Sequence, residues 1–123
     1  MNIEEQKARF LKIAREKNPD LTFYNDDILN DYAYVGQVDA VIVIAGLVHI
    51  EAEKLPLAFS RMRSVVKDGG GLFVTVIDGE TYDRNFIGHT KNELIRAADG
   101  LFRFEREMGW DGTDWHNYIF TAV

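Results

Sequence analysis

Two short apolar runs, Val38 to Ala45 and Gly71 to Ile77, constrain this chain more than any other feature. The first is β-branched and apolar on both faces apart from Asp39, which predicts a strand covered on both sides. Between the runs, Leu55, Phe59, Met62, Val65 and Val66 recur at helical spacing. Pro56 falls near the start of that helix, where a missing N–H costs little, and Asp68-Gly69 supplies a C-terminal stop. Asp78-Gly79 ends the second run.

The flanking segments extend the alternation. Ile3, Phe10, Ile13 and Ala14 predict an opening helix, with Asn2 as its cap and Glu5 completing a capping box. Pro19 stops it by pushing Asn18 out of the helical region. Leu21 to Tyr24 reads as a short strand closed by Asn25-Asp26-Asp27. Thr90 and Glu93 form a capping box for a helix with Leu94, Ile95, Ala98 and Leu101 on its inner side and Gly100 at its end. Phe102 to Met108 and Tyr118 to Val123 predict two final strands, antiparallel across Gly109-Trp110-Asp111-Gly112. Strands alternating with helices predict an α/β fold with an open sheet and helices on both faces.

At 123 residues the chain is one domain's worth. Fourteen Lys and Arg against 20 Asp and Glu give a net charge of -6, unsuited to a protein that binds nucleic acid or phosphate through a broad basic field. The absence of cysteine excludes a disulfide scaffold, a thiolate zinc site and a cysteine nucleophile. Three scattered histidines do not have metal-site spacing. The longest apolar run, Val38 to Ile50, is interrupted by Asp39 and His49 and is too short to span a bilayer, and Met1 opens onto a charged helical pattern. The expectation is a soluble, cytoplasmic single domain without a membrane or nucleic-acid partner.

In open α/β sheets ligands sit beyond the carboxyl ends of the parallel strands. That rule nominates Asn25 to Ile28, Gly46 to His49 and Asp78 to Thr81.

The stretch from Asp39 to Glu80 (DAVIVIAGLVHIEAEKLPLAFSRMRSVVKDGGGLFVTVIDGE) resembles the second half of the class I S-adenosylmethionine-dependent methyltransferases. Val38-Asp39, Leu47-Val48-His49 and Lys67-Asp68-Gly69-Gly70 stand where that family has an aromatic-Asp pair, a Leu-x-His and a Lys-Pro-Gly-Gly. Val38 and Asp68 depart from the pattern. Ala14 to Pro19 with Leu21-Thr22-Phe23, His89 to Leu94, and Trp115 to Val123 are similar to further family elements, so the resemblance covers nearly the whole chain.

The resemblance implies a truncated Rossmann-like sheet of about five strands, mostly parallel, with an antiparallel C-terminal strand. It also implies S-adenosylmethionine as cofactor. Asp27 and Ile28 match the family's adenine-binding pair, a carboxylate for the amino group and an apolar residue for the ring. Ala45, Gly46 and Leu47 match the backbone that lies along the methionine part. His49 is the candidate general base. Simpler roles compete at each position: Asp27 suits a helix cap, Gly46 a strand-ending turn, and His49 a cap for the helix through Ala52. Trp110 and Trp115 flank the last turn and suit either a lid or plain aromatic packing.

The glycine-rich cofactor loop of the family has no counterpart here, because the one cluster, Gly69-Gly70-Gly71, precedes a strand instead of following one. Two function classes follow. One is a methyltransferase completed by a partner chain; the other is a non-catalytic interaction module on the same scaffold. The first needs the missing loop from a partner chain or a second copy. The second expects the open sheet edge to be covered, either by Leu21 to Tyr24 moving in beside the central strand or by another chain, giving an oligomer or a rearranged five-strand sheet.

Overall fold

The structure, a computed structural model, describes residues 3–20, 22, 27–44, 46–77, 86–109 and 114–123. Its elements run α1 (Ile3–Lys17), β1 (Val38–Ile44), α2 (Leu55–Arg63), β2 (Val66–Ile77), α3 (Lys91–Ala97), β3 (Phe102–Gly109) and β4 (Trp115–Ala122). The strands lie in the order β1-β2-β4-β3. Strand β1 pairs parallel with β2, Val41 beside Leu72 and Val43 beside Val74. Strands β2 with β4, and β4 with β3, pair antiparallel.

The sheet is therefore mixed, with four strands among the described residues, where about five mostly parallel strands were expected. The reason lies in the last two strands: β4 inserts beside β2 and leaves β3 outermost, so antiparallel ladders outnumber the single parallel one. The expected strand at Leu21 to Tyr24 lies outside the described residues, save Thr22, which has no regular structure. The Asn2 cap also lies outside them.

Helix α2 ends at Arg63, earlier than the stop expected at Asp68-Gly69, and β2 begins already at Val66. The Arg63 guanidinium holds this junction. It donates to Val66 O and Val123 O, each at 2.7 Å, and binds the Asp68 carboxylate. Gly69 takes a positive φ of 79°. A Cβ on Gly70 would lie 2.7 Å from Asp39 O and 2.8 Å from Lys67 O. The glycine cluster thus lets β2 approach β1 where the register shifts between Val38 and Ala40.

The core lies on the sheet face that α2 and α3 cover. Phe59 of α2 meets Phe120 and Phe102 edge-on, with ring centroids 5.8 and 6.1 Å apart. Leu72, Val74, Tyr118, Leu94 and Ala98 complete it. The Thr90 side chain accepts from Glu93 N at 3.1 Å, forming the expected cap of α3, and Gly100 beyond it has φ 76°.

The other face is less covered. Thr75 and Asn117 are buried there and hydrogen-bond at 2.8 Å, yet Ile42 and Ile44 are 67% and 69% exposed. The expectation that Val38 to Ala45 is covered on both sides is corrected here. Among the described residues, β1 pairs with β2 alone and nothing buries its Ile42–Ile44 side. Nor does α1 bury its apolar stripe, for Phe10 is 74% exposed.

The sheet's two edges differ in chemistry. On outermost β3, Arg103, Glu105, Arg106 and Glu107 are exposed and a bulge falls between Phe104 and Arg106. Both features discourage further pairing. Arg103 hydrogen-bonds Glu105 at 2.8 Å and holds its carboxyl below the usual carboxylate range. Strand β1 has a single charge, Asp39, paired with Lys67 at 3.1 Å. Among the described residues no helix is long and apolar enough to cross a membrane.

Truncating Phe59 to Ala should cost about 3 to 5 kcal/mol in urea unfolding, as a fully buried phenyl ring is lost. Phe10→Ser should change stability by less than about 0.5 kcal/mol. Equal losses at both positions would contradict the placement of the core.

Candidate cofactor and acceptor site

Because β1 and β2 are parallel, Ile44 and Ile77 end at the same rim of the sheet, and so does Trp115, which pairs with Ile77. The chain after β1 turns at Gly46 into a short 3-10 turn, Leu47–His49. Leu47 and Val48 are buried, whereas His49 is exposed. A Cβ on Gly46 would lie 2.6 Å from Val43 Cγ1, so glycine is needed here for close packing rather than for an unusual φ, which is -84°. Ala45 lies outside the described residues.

The segment after the loop following β2 fastens this turn. Ile87 N donates to Val48 O at 2.7 Å, and His89 N donates to Ile77 O at 2.8 Å. The His89 ring, fully buried, places Nε2 2.9 Å from Leu47 O and Nδ1 3.3 Å from Glu93 Oε2. Phe86 stands between two further rings, with centroids 5.7 Å from His49 and 5.8 Å from Trp115. The rim thus gathers Gly46, Leu47 and His49, expected from the sequence, with Phe86, His89 and Trp115.

Asp27 and Ile28 are anchored by a different route. Asp27 Oδ1 accepts from Leu29 N at 2.9 Å, and Asn30 N donates to Asp27 O at 2.9 Å, a turn built by the aspartate itself. Half-buried Ile28 packs against the core, and Arg61 of α2 donates to Leu29 O at 3.3 Å. Asp78 to Thr81, also nominated by the strand-end rule, and Trp110 lie outside the described residues.

Phe86 and His89 were not singled out as site residues. Phe86 offers no pattern, being an isolated aromatic in a polar stretch, and His89 reads merely as the residue before a helix cap. A second polar group lies on the helix-covered face. His116 Nδ1 is 2.6 Å from Glu107 Oε1, beside a groove of about 350 Å³ lined by Thr90, Lys91, Asn92, Glu107 and Tyr118. Among the described residues no cluster of His, Asp and Glu has the arrangement to hold a metal ion.

Comparison with solved structures identifies the architecture. The PH0226 protein from Pyrococcus horikoshii OT3 superposes with a TM-score of 0.76 at 18% identity, over 98% of this chain and 68% of that one. The N-methyltransferase NodS from Bradyrhizobium japonicum WM9, in complex with S-adenosyl-L-homocysteine, gives 0.73 at 15% identity over 91% and 61%. Magnesium protoporphyrin IX methyltransferase from Synechocystis PCC 6803, with the same compound bound, gives 0.72 at 15% identity over 98% and 61%. This is the class I methyltransferase fold. The chain spans about three fifths of the length of the two methyltransferases. No protein-family model and no curated protein matches it. Within the methyltransferase fold, the Gly46–His49 turn occupies the carboxyl end of a parallel strand, where such sheets hold ligands.

Gly46→Ala should destabilise the chain by about 1 to 3 kcal/mol in denaturant unfolding, because the new methyl group meets the stiff Val43 side chain. An unchanged midpoint would show that the turn has slack.

Proposed function

We propose that this chain binds S-adenosylmethionine and takes part in methyl transfer to a small-molecule or protein acceptor. The observation that carries the reading is the Gly46–His49 turn at the end of β1, tied by hydrogen bonds to the segment that follows β2.

The residues present suit the cofactor's two ends. Asp27 Oδ1 accepts one backbone N–H, and a carboxylate has further lone pairs for an adenine amino group beside Ile28. Ala45, Gly46 and Leu47 would lie along the methionine part, where glycine lets a ligand approach the backbone. When bound, the cofactor supplies an electrophilic methyl group on a sulfonium. The chain's part is to orient the acceptor and take up its proton. His49, exposed on the turn and beside the Phe86 ring, is the group we assign to accept that proton, since an imidazole nitrogen can act as a general base. Phe86 and Trp115 would wall the acceptor's side and keep water away from it.

A partner chain completes the site in this reading. It adds a strand along the outer edge of β1, covers Ile42 and Ile44, and brings a glycine-rich loop to the rim. The contrast between charged, bulged β3 and apolar β1 supports pairing at β1. The same exposed side supports the second reading, a non-catalytic interaction module on the methyltransferase scaffold.

Calorimetry against S-adenosylmethionine and S-adenosyl-L-homocysteine distinguishes the two. The first reading expects saturable heat and a loss of about tenfold or more in affinity for Asp27→Ala, one charge-assisted hydrogen bond removed. Flat titrations at millimolar ligand, with the chain alone and with the partner chain added, would contradict cofactor binding and leave the interaction module. Sedimentation showing a monomer, with fast amide exchange along Val41 to Ile44, would contradict a covered edge.

A further inference from the structure

We infer that His89 is a positioning residue whose buried ring locks the Gly46–His49 turn to β2 and α3. The inference rests on the cofactor role proposed for that turn, but the lock itself is readable without cofactor.

Three elements meet at this residue. Its backbone N–H binds the last carbonyl of β2, Ile77 O, at 2.8 Å. Its ring is fully buried, so both nitrogens need partners within the protein. Leu47 O, at 2.9 Å from Nε2, can only accept, so Nε2 must carry a proton. Leu47 O also accepts from Ile50 N at 3.0 Å, and both its lone pairs are thereby engaged.

On the other side of the ring, Nδ1 lies 3.3 Å from the Glu93 carboxylate. Glu93 in turn offers its backbone N–H to the Thr90 cap, so the pair links the turn to the first residues of α3. Among the described groups, Glu93 is the charged side chain that faces the ring from α3. Beta strand β2 and the 3-10 turn present the Ile77 and Leu47 carbonyls, and His49 lies beside Phe86.

The consequence for the site is mechanical. The carbonyl that His89 holds belongs to Leu47, directly after Gly46, so the direction of this backbone depends on a ring from the far side of the sheet end. Removing the ring would free this carbonyl, so ligand affinity at the turn should fall in His89→Ala.

Nitrogen-15 NMR and amide exchange in the full chain, without ligand, test the lock. We expect a proton on His89 Nε2 that is hydrogen-bonded to the Leu47 carbonyl. In His89→Ala, exchange of the Ile50 and Ile87 amides should quicken tenfold or more while that of Phe120 keeps its rate. His89→Gln, whose amide can donate to Leu47 O, should keep the slow rates. If His89→Ala does not fold, the wild-type ring spectrum and the Gln variant decide. A wild-type ring without a proton on Nε2, or Ile50 and Ile87 exchange unchanged in a folded His89→Ala, would each overturn the inference. Affinity for S-adenosyl-L-homocysteine, measured in parallel, reads the cofactor role separately: a hydrogen-bonded Nε2–H with no ligand binding would sink that role and leave the lock standing.

Discussion

The parallel ladder between β1 and β2 is the constraint on which the rest depends. It sends both strands to the same rim, so the turn at Gly46 and the segment through Phe86 and His89 meet there instead of at opposite ends of the sheet. The antiparallel return of β4 brings Trp115 to that rim as well. Long-range pairing therefore gathers residues far apart in sequence, and local hydrogen bonds to Val48 O, Leu47 O and Ile77 O then fasten them.

Among the described residues, the same ladder leaves β1 at the margin. An outer strand of β-branched residues with exposed Ile42 and Ile44 costs solvation and invites pairing, whereas β3 on the opposite margin is blunted by charge and a bulge. Among the described residues the two margins therefore differ, one blunted and one apolar. The methyltransferases that the chain superposes on are longer.

Much of the fold was legible where local chemistry and global placement agree. The Thr90–Glu93 box, Pro56 in the first turn of α2 and the apolar run of β1 all appear where their residue types dictate. The start of β2 was not legible, because Val65 and Val66 continue the helical stripe of Phe59 and Met62 and only packing against Asp39 shows why Gly70 must be a strand glycine. Strand order was hidden too: two sequential strands predict a hairpin but not which of them touches β2. In the site, the strand-end rule found Gly46 to His49, whereas His89 was missed because its burial arises from partners 42 residues away at Leu47, which no local pattern encodes. The roles of Asp27, Ile28, Gly46 and His49 rest on the placement of their elements and on the chemistry of their side chains.

Amide spectra recorded during titration with S-adenosyl-L-homocysteine test the central claim most directly, that the carboxyl rim of the parallel pair is a nucleoside-binding surface. The account predicts saturable shifts at Gly46 to Ile50 and at Asp27 to Leu29, with Arg103 to Arg106 unmoved. Shifts confined to the β3–β4 ribbon, or to the groove beside Lys91 and Tyr118, would contradict it.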